Sequence, residues 1–410
     1  MKFKGHSNRI EATWMPKSLL RRQLKRGKIL TGFYSSADCS IEEFQALISE
    51  QLESSWVPNA ISVDQNIPIY DAVGIEPKLE DPLERRTLMA EWAKVLGLGC
   101  GVVVLKGAMK NLGDVDLATK VFEEIIDQER AASSGGDHFG ERGANDRVWN
   151  SLQKLCLRDP SLFARYFSAP SIAAVSEAWL GPWYQMTAQV NVVRPGGKAQ
   201  TCHRDYHLGF MTQAQAESFP AHAHALSPTL TLQGAIAHCD MPIESGPTKL
   251  LPNSQRFGAG YVAMQLPEFR EIFEANYVQL PLEKGDALFF SPAVFHAAGD
   301  NVSTDIQRMA NLLQIGSPMG RTLERIDRTE MVRRLYPAML DLDMSDIETR
   351  ATIGAAAEGY PFPTNLDTDP PIGGLASESQ AELLSRALIE RLGITDFEAA
   401  LEENRVRRLP

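Results

Sequence analysis

The sequence predicts a mainly β fold of the sandwich or jelly-roll type, flanked by helices and extended by helical segments at both ends. Two observations support this prediction. Between residues 185 and 316, short strand-like runs alternate with turn residues, as is typical of an all-β module. On both sides of this stretch, apolar residues recur at helical spacing. Ligands of such folds commonly bind in the mouth of the barrel.

The region before residue 185 carries mostly helical patterns. We predict helices at 41–52, 86–96 and 114–130, and one or two more between 147 and 180, where Pro160 and Pro170 interrupt the pattern. The β-branched run at 101–106 predicts a buried strand. Residues 132–146 are rich in Gly, Ser and Asp, which predicts a loop.

The predicted strands of the β module lie at 185–193, 200–211, 230–238, 248–251, 277–282, 287–291 and 308–315. Helical spacing returns at 321–335, 380–392 and 395–404. We therefore divide the chain into an N-terminal extension (1–95), a jelly-roll domain (96–320) and a helical C-terminal extension (321–410).

Composition limits the kinds of molecule that this protein is expected to bind. The formal net charge is -11, from 41 Lys and Arg against 52 Asp and Glu, and no long basic run follows a phosphate backbone, which argues against nucleic acid. No apolar run approaches the ~18 residues that span a bilayer, and no signal peptide is evident. Five cysteines without CxxC spacing fit a reducing compartment. We expect a cytoplasmic protein with a small-molecule substrate and no membrane partner.

Three residues form a candidate metal site. His203 and Asp205 are two residues apart, so on a strand both side chains leave the same face. A Gly285-Asp286 turn opens an apolar strand that leads to the solitary His296. Two imidazoles and one carboxylate suit non-haem Fe(II) that handles O2, whereas zinc more often has a tetrahedral site. Alternatively, His296 is a hydrogen-bonded core histidine and the other two residues form a surface pair.

Arg308 opens a mostly apolar strand, where a cation needs a partner. Its guanidinium offers a planar donor fork that suits the distal carboxylate of 2-oxoglutarate. A salt bridge to Asp300 or Asp305 is the alternative. Gln189 and Asn191 share one strand face and would hydrogen-bond the cosubstrate from across the barrel, unless they are ordinary polar strand residues.

These residues occur in an order that resembles the phytanoyl-CoA dioxygenase family between about 101 and 316. The matching segments are Asn191-Val-Val-Arg-Pro-Gly196, His203-x-Asp205, Glu244-Ser-Gly-Pro-Thr-Lys-Leu-Leu-Pro-Asn-Ser254, Gly285-Asp286, His296 and Arg308. The resemblance implies a double-stranded β-helix, that is, a jelly roll. It also implies iron on His203, Asp205 and His296, with Arg308 binding 2-oxoglutarate. Such enzymes use O2 to convert 2-oxoglutarate to succinate and CO2 while hydroxylating an unactivated C–H bond.

The sequence departs from the family pattern in three places, one of which is a spacing from His296 to Arg308 that is one residue longer than is common. Ala298 stands where a serine or threonine is common, and the strand at 250–255 lacks the usual glycine and histidine. The carboxylate of Asp205 is retained, whereas related halogenases replace it with a small residue. Hydroxylation is therefore the expected outcome, although desaturation, epoxidation and ring closure use the same ligands and stay open.

Candidate substrate contacts are Tyr206 and His207, next to the ligand pair, and Arg256. Arg204 is a further candidate for binding an acidic group. His222 and His224 lie in a long insertion that is either a lid or a second metal site. Two other functions stay open, namely a cupin-like metalloenzyme that does not use 2-oxoglutarate, and a non-catalytic jelly-roll binding protein.

Overall fold

The computed structural model describes residues 32–132, 145–371 and 373–410. Its centre is an eight-stranded mixed sheet with the order β1-β2-β3-β8-β6-β10-β5-β4. Neighbouring strands are antiparallel except β2 and β3, which are parallel. The strands are β1 (Ser62–Asp64), β2 (Ile67–Asp71), β3 (Val102–Lys106), β4 (Asn145–Val148), β5 (Gln185–Val193), β6 (Thr231–Ala237), β7 (Lys249–Leu251), β8 (Ala287–Phe290), β9 (Phe295–Ala297) and β10 (Arg308–Gly316).

A smaller sheet faces the large one. Strands β7 and β9 pair antiparallel, and single bridges extend the pair on both sides, from His203 to His296 and from Leu250 to Val278. The two sheets make a double-stranded β-helix, as predicted. β1 and β2 lie within the predicted N-terminal extension and lengthen the large sheet.

Helices cover the outer surfaces of both sheets. They are α1 (Ile41–Ile48), α2 (Glu76–Glu80), α3 (Pro82–Leu98), α4 (Leu112–Ala131), α5 (Ser151–Arg158), α6 (Pro160–Tyr166), α7 (Pro170–Leu180), α8 (Gln213–Glu217), α9 (Ala221–Leu226), α10 (Gly260–Ala263), α11 (Pro267–Asn276), α12 (Arg328–Leu340), α13 (Asp346–Ala356), α14 (Gln380–Glu390) and α15 (Ile394–Arg407). Among the described residues, none of these helices is long and apolar enough to cross a lipid bilayer.

The two larger of the three apolar clusters among the described residues hold these layers together. The larger cluster includes residues of the large sheet, of helices α2 to α7 and of helices α12 to α15. The smaller cluster lies behind the small sheet, where Phe44 of α1 packs against Phe257, Phe269 and Phe295. The C-terminal helices are joined to this body by Tyr336, whose ring stacks on Phe397 at 3.9 Å.

Most predicted elements are confirmed, although the helix predicted at 321–335 lies at Arg328–Leu340. Three other predictions differ from the structure. The predicted strand at 200–211 is wrong, because the chain bridges only at His203 and then turns. The strand predicted at 277–282 is reduced to isolated bridges at Val278 and Leu282. The region 147–180 contains three helices instead of one or two. Most of the loop predicted at 132–146 lies outside the described residues.

Candidate metal and cosubstrate site

His203, Asp205 and His296 lie together at one end of the barrel, and their ligand atoms are all within 4.8 Å of one another. The Asp205 carboxylate lies 3.7 Å from His203 Nε2 and 3.5 Å from His296 Nε2. Backbone pairing sets this geometry, because His203 and His296 exchange two N–H···O bonds across the small sheet. The two imidazoles therefore lie side by side, with ring centroids 4.4 Å apart.

The hydrogen bonds of the imidazoles leave one nitrogen of each ring for a metal. Nδ1 of His203 donates to the Thr201 carbonyl, and Nδ1 of His296 donates to the Val294 carbonyl, each at 2.8 Å. These bonds fix the tautomer in which Nε2 carries a lone pair. Both Nε2 atoms face the carboxylate, so the three side chains fit a facial set of metal ligands.

The ionisation states of the ligands also suit a cation. Burial alone would raise the pKa of Asp205, but the neighbouring imidazoles of His296 and His203 lower it to about 2. Burial, followed by the proximity of His296, lowers the pKa of His203. At neutral pH the carboxylate is thus ionised and the His203 ring is neutral, the forms that bind a metal ion.

Arg308 is buried on the inner face of the large sheet. Its Nη1 donates to the carbonyls of Ser245 at 3.2 Å and Gly299 at 3.4 Å. Neither Asp300 nor Asp305 pairs with it, and no other carboxylate does so in the part of the chain that the structure describes. Burial lowers the pKa of Arg308 to about 10. A desolvated cation with only carbonyl partners fits an anionic ligand, such as the carboxylate of 2-oxoglutarate.

The register of the sheet points further polar side chains toward the same interior. Gln189 and Asn191 lie opposite Leu312 and Ala310, on the face that also carries Arg308. Gln189 Oε1 accepts a hydrogen bond from Arg147, while its Nε2 has no partner within the described residues. Asn191 donates weakly to the Asp146 carbonyl, at 3.4 Å. The Gln189 amide is therefore a buried donor that a ligand would satisfy.

The predicted substrate contacts have different surroundings. Tyr206 is buried beside the metal ligands, and its hydroxyl donates to Gln314 Oε1 at 2.7 Å. His207 lies at the rim, with Nε2 3.3 Å from the Arg321 carbonyl. Arg256 lies away from this group and pairs with Glu50 at 2.8 Å. The structure thus brings two of the three predicted contacts close to the ligands.

Two weaker predictions are not supported by the geometry. His222 is exposed, whereas His224 is buried with Nε2 2.9 Å from the Ala216 carbonyl, and the two belong to no group of metal-binding side chains among the described residues. Arg204 is also wrong as a substrate contact, because its side chain is buried behind the small sheet.

Three polar residues of the site were not identified from the sequence. Gln233 donates to Asp205 Oδ2, Gln314 accepts from Tyr206, and Arg147 donates to Gln189. Each lies on a strand of the large sheet and reaches the site through pairing with neighbouring strands. The alternation of polar and apolar residues in β6 and β10 was the available signal.

A model of the phytanoyl-CoA dioxygenase (PhyH) family matches residues 100–310, just over half of the 410-residue chain. The dioxygenase cdmD of Talaromyces verruculosus is 28% identical over 226 residues, which cover 51% of this chain and 68% of cdmD. The dioxygenase andF of Emericella variicolor is 22% identical over 214 residues, which cover 51% and 68% of the two chains.

The solved structures found by comparison are less similar to this chain. The non-heme alpha ketoglutarate dependent epimerase SnoN from nogalamycin biosynthesis gives a TM-score of 0.38 at 21% identity, over 58% of this chain and 84% of SnoN. HygX from Streptomyces hygroscopicus, solved with nickel and 2-oxoglutarate, gives 0.36 at 13% identity, over 56% and 87%. The assignment rests on the family match: the chain belongs to the phytanoyl-CoA dioxygenase family of iron- and 2-oxoglutarate-dependent dioxygenases.

Proposed function

We propose that this dioxygenase hydroxylates an unactivated C–H bond of a small molecule at iron held by His203, Asp205 and His296. One observation carries the proposal. The three ligand atoms converge within 4.8 Å, and the facing sheet carries a buried arginine that has no carboxylate partner among the described residues. This pairing of a metal site with an anion site matches the needs of iron and 2-oxoglutarate.

In this proposal, one set of residues binds the metal and another binds the cosubstrate. Asp205, His203 and His296 would hold the iron through a carboxylate oxygen and two Nε2 atoms. Arg308 binds the distal carboxylate of 2-oxoglutarate, with Gln189 and Asn191 as hydrogen-bonding partners. When iron and 2-oxoglutarate are bound, O2 converts the latter to succinate and CO2 and supplies the oxidising power for C–H cleavage. The intact carboxylate of Asp205 favours oxygen insertion over halogenation.

Tyr206 and His207 are the proposed substrate contacts. Tyr206 follows the ligand Asp205 directly, and His207 is half-exposed at the rim, so a molecule that enters the barrel would meet both. Arg256 is less suited to this role because its charge is already paired with Glu50. The proposed substrate is a small molecule.

The two alternative functions explain fewer of these features. A metalloenzyme that does not use 2-oxoglutarate has no need for Arg308, a buried cation whose described partners are carbonyls. A binding module has no need for two imidazoles whose Nε2 atoms both face a carboxylate.

Isotope labelling tests the proposed reaction. A library of small molecules is screened for compounds that increase succinate formation, and the product of each hit is analysed by mass spectrometry after reaction under 18O2. Hydroxylation predicts one 18O atom in the product and one in succinate. The matched control is Asp205→Ala, which should give neither product. A product lacking 18O would contradict hydroxylation and indicate desaturation or ring closure.

A further inference from the structure

Arg204 stands between the ligands His203 and Asp205 in the sequence but points to the opposite side of the small sheet. Successive side chains of an extended segment alternate between faces, so His203 and Asp205 face the barrel while Cys202 and Arg204 face away. Arg204 is 2% exposed and lies in the apolar cluster behind the sheet. A charged side chain in such a place requires an explanation.

The guanidinium of Arg204 is held by carbonyls and aromatic rings. Its Nη2 donates to the carbonyls of Ser254 at 2.5 Å and Phe257 at 3.1 Å. It also lies 5.1 Å from the ring centroid of Tyr261 and 5.0 Å from that of Phe295. Both distances are typical of cation–π contacts. Within the described residues, no carboxylate forms an ion pair with this arginine.

Both rings lead directly to metal ligands. The Tyr261 hydroxyl donates to the backbone carbonyls of Asp205 at 3.3 Å and Tyr206 at 2.8 Å. Phe295 precedes His296, and its backbone N–H donates to the Ser254 hydroxyl at 2.8 Å. Arg204 therefore contacts Phe295, which is adjacent to the ligand His296. It also contacts Tyr261, which holds the backbone at the ligand Asp205.

The backbone held by Tyr261 is strained. Tyr206 has a φ of 34°, a left-handed conformation that is unfavourable for a bulky residue. Besides Tyr261, the Ser227 hydroxyl donates to the Tyr206 carbonyl at 2.9 Å. Strain of this kind persists only where the surroundings fix the backbone, and it is common at functional sites.

The Arg204 guanidinium leaves no room for a side chain at Gly260. A Cβ atom at this position would lie 1.9 Å from the Arg204 guanidinium carbon and 2.1 Å from each terminal nitrogen. Any side chain at residue 260 must therefore displace the arginine. Gly260 thus offers a way to move Arg204 without replacing it.

We propose that Arg204, Tyr261 and Phe295 form an arginine clamp that sets the positions of Asp205 and His296 for metal binding. Arg204 is a positioning residue, since it acts through Tyr261 and Phe295 and points away from the metal. The inference rests on the proposed function, because it assumes that His203, Asp205 and His296 hold iron.

The test measures metal binding by the full-length protein without turnover. Fe(II) affinity is determined anaerobically, and Co(II) serves as a second probe whose visible absorption reports ligand geometry. Arg204→Met should weaken Fe(II) binding by about 10- to 100-fold, the range typical of residues that orient metal ligands, and should alter the Co(II) spectrum. Arg328→Met is the matched control, because Arg328 also donates to backbone carbonyls, those of Met186, Ala355 and Ala356, but lies under the C-terminal helices. It should leave both readouts of the folded protein unchanged.

Gly260→Ala provides the second arm. It should weaken Fe(II) binding in the wild-type background and have no further effect in an Arg204→Ala background, because the clash then disappears. This arm also decides the matter if Arg204→Met does not fold. Unchanged Fe(II) affinity and Co(II) spectra in the Arg204 and Gly260 variants would overturn the clamp alone. A wild-type protein that binds no Fe(II) would instead overturn the proposed function, and the clamp with it.

Discussion

The two faces of the large sheet both bury polar side chains, but they satisfy them differently. On the helix-covered face, His238 Nδ1 donates to Thr119 Oγ1 at 2.8 Å, and its Nε2 accepts from the Tyr166 hydroxyl at 2.7 Å. Tyr166 in turn accepts from Asn311, whose Oδ1 accepts from Ser151. Among the described residues, these five side chains have no buried polar atom that lacks a partner.

On the barrel-facing side, some buried polar groups lack hydrogen-bond partners among the described residues. Gln189 Nε2 and Gln233 Oε1 are buried without partners in the described structure, and Arg308 has carbonyls in place of a carboxylate. Both metal-site imidazoles keep Nε2 directed at Asp205. Because buried polar groups in proteins are normally paired, this face is built to receive a ligand, whereas the other face stabilises the fold.

Removing a ligand on the barrel-facing side should have the largest effect on function. We expect His203→Ala to abolish Fe(II) binding while changing the free energy of unfolding of the metal-free protein by less than about 1 kcal/mol, because 30% of the side chain is exposed to solvent. Metal titration and urea denaturation measure the two quantities. Retained stoichiometric Fe(II) binding would remove His203 from the ligand set.

Replacing Arg308 should separate the cosubstrate from the metal. Arg308→Met removes charge-assisted hydrogen bonds worth about 2 to 3 kcal/mol, so 2-oxoglutarate should bind about 30- to 150-fold more weakly. Fe(II) affinity should not change, because Arg308 contacts no metal ligand. Titration of the iron-loaded variant with 2-oxoglutarate measures the loss, and equal affinity would show that another residue binds the cosubstrate.

The helix-covered face should respond in the opposite way. Tyr166→Phe leaves His238 Nε2 and the Asn311 amide without their partner, so we expect a loss of about 1 to 3 kcal/mol in the free energy of unfolding. Fe(II) and 2-oxoglutarate affinities should be unchanged. A variant as stable as wild type but impaired in iron binding would reverse the roles assigned to the two faces.

Stability should also depend on pH. Burial lowers the pKa of His238 to about 3, so between that value and its ordinary value of 6.5 only the unfolded chain takes up the proton. The contribution of His238 to stability is therefore present above pH 6.5 and is lost on acidification, by about 1.4 kcal/mol per pH unit. His238→Gln should flatten this slope between pH 6.5 and 5. An equal slope in both proteins would mean that His238 is not held neutral.

Local sequence patterns were sufficient for elements whose partners are apolar. β5 matches its predicted limits, since Gln185–Val193 is one of the two nine-residue strands and its outward residues Met186, Ala188, Val190 and Val192 all belong to the larger apolar cluster. β4 was not predicted, because Asn145–Val148 contains a single apolar residue and depends on pairing with β5. The turn after Asp205 depends on Ser227 and Tyr261, which no local pattern connects to it.

In the candidate site, too, local patterns predicted some residues, whereas residues that depend on distant pairing were missed. The three ligands were predicted because their spacing and order resemble a family pattern, and Arg308 because a cation at the start of an apolar strand needs a partner. Gln233 and Arg147 were missed because only strand register brings them to Asp205 and Gln189. The predicted role of Arg204 was wrong because the alternation that places His203 and Asp205 on one face puts Arg204 on the other.

Anaerobic titration of the metal-free protein tests the central claim most directly. Fe(II) is added first and 2-oxoglutarate second, while visible absorption is recorded. We expect one equivalent of each to bind and a weak metal-to-ligand charge-transfer band to develop, with no band in His296→Ala. A folded wild-type protein that gives no band with both ligands present would contradict the account.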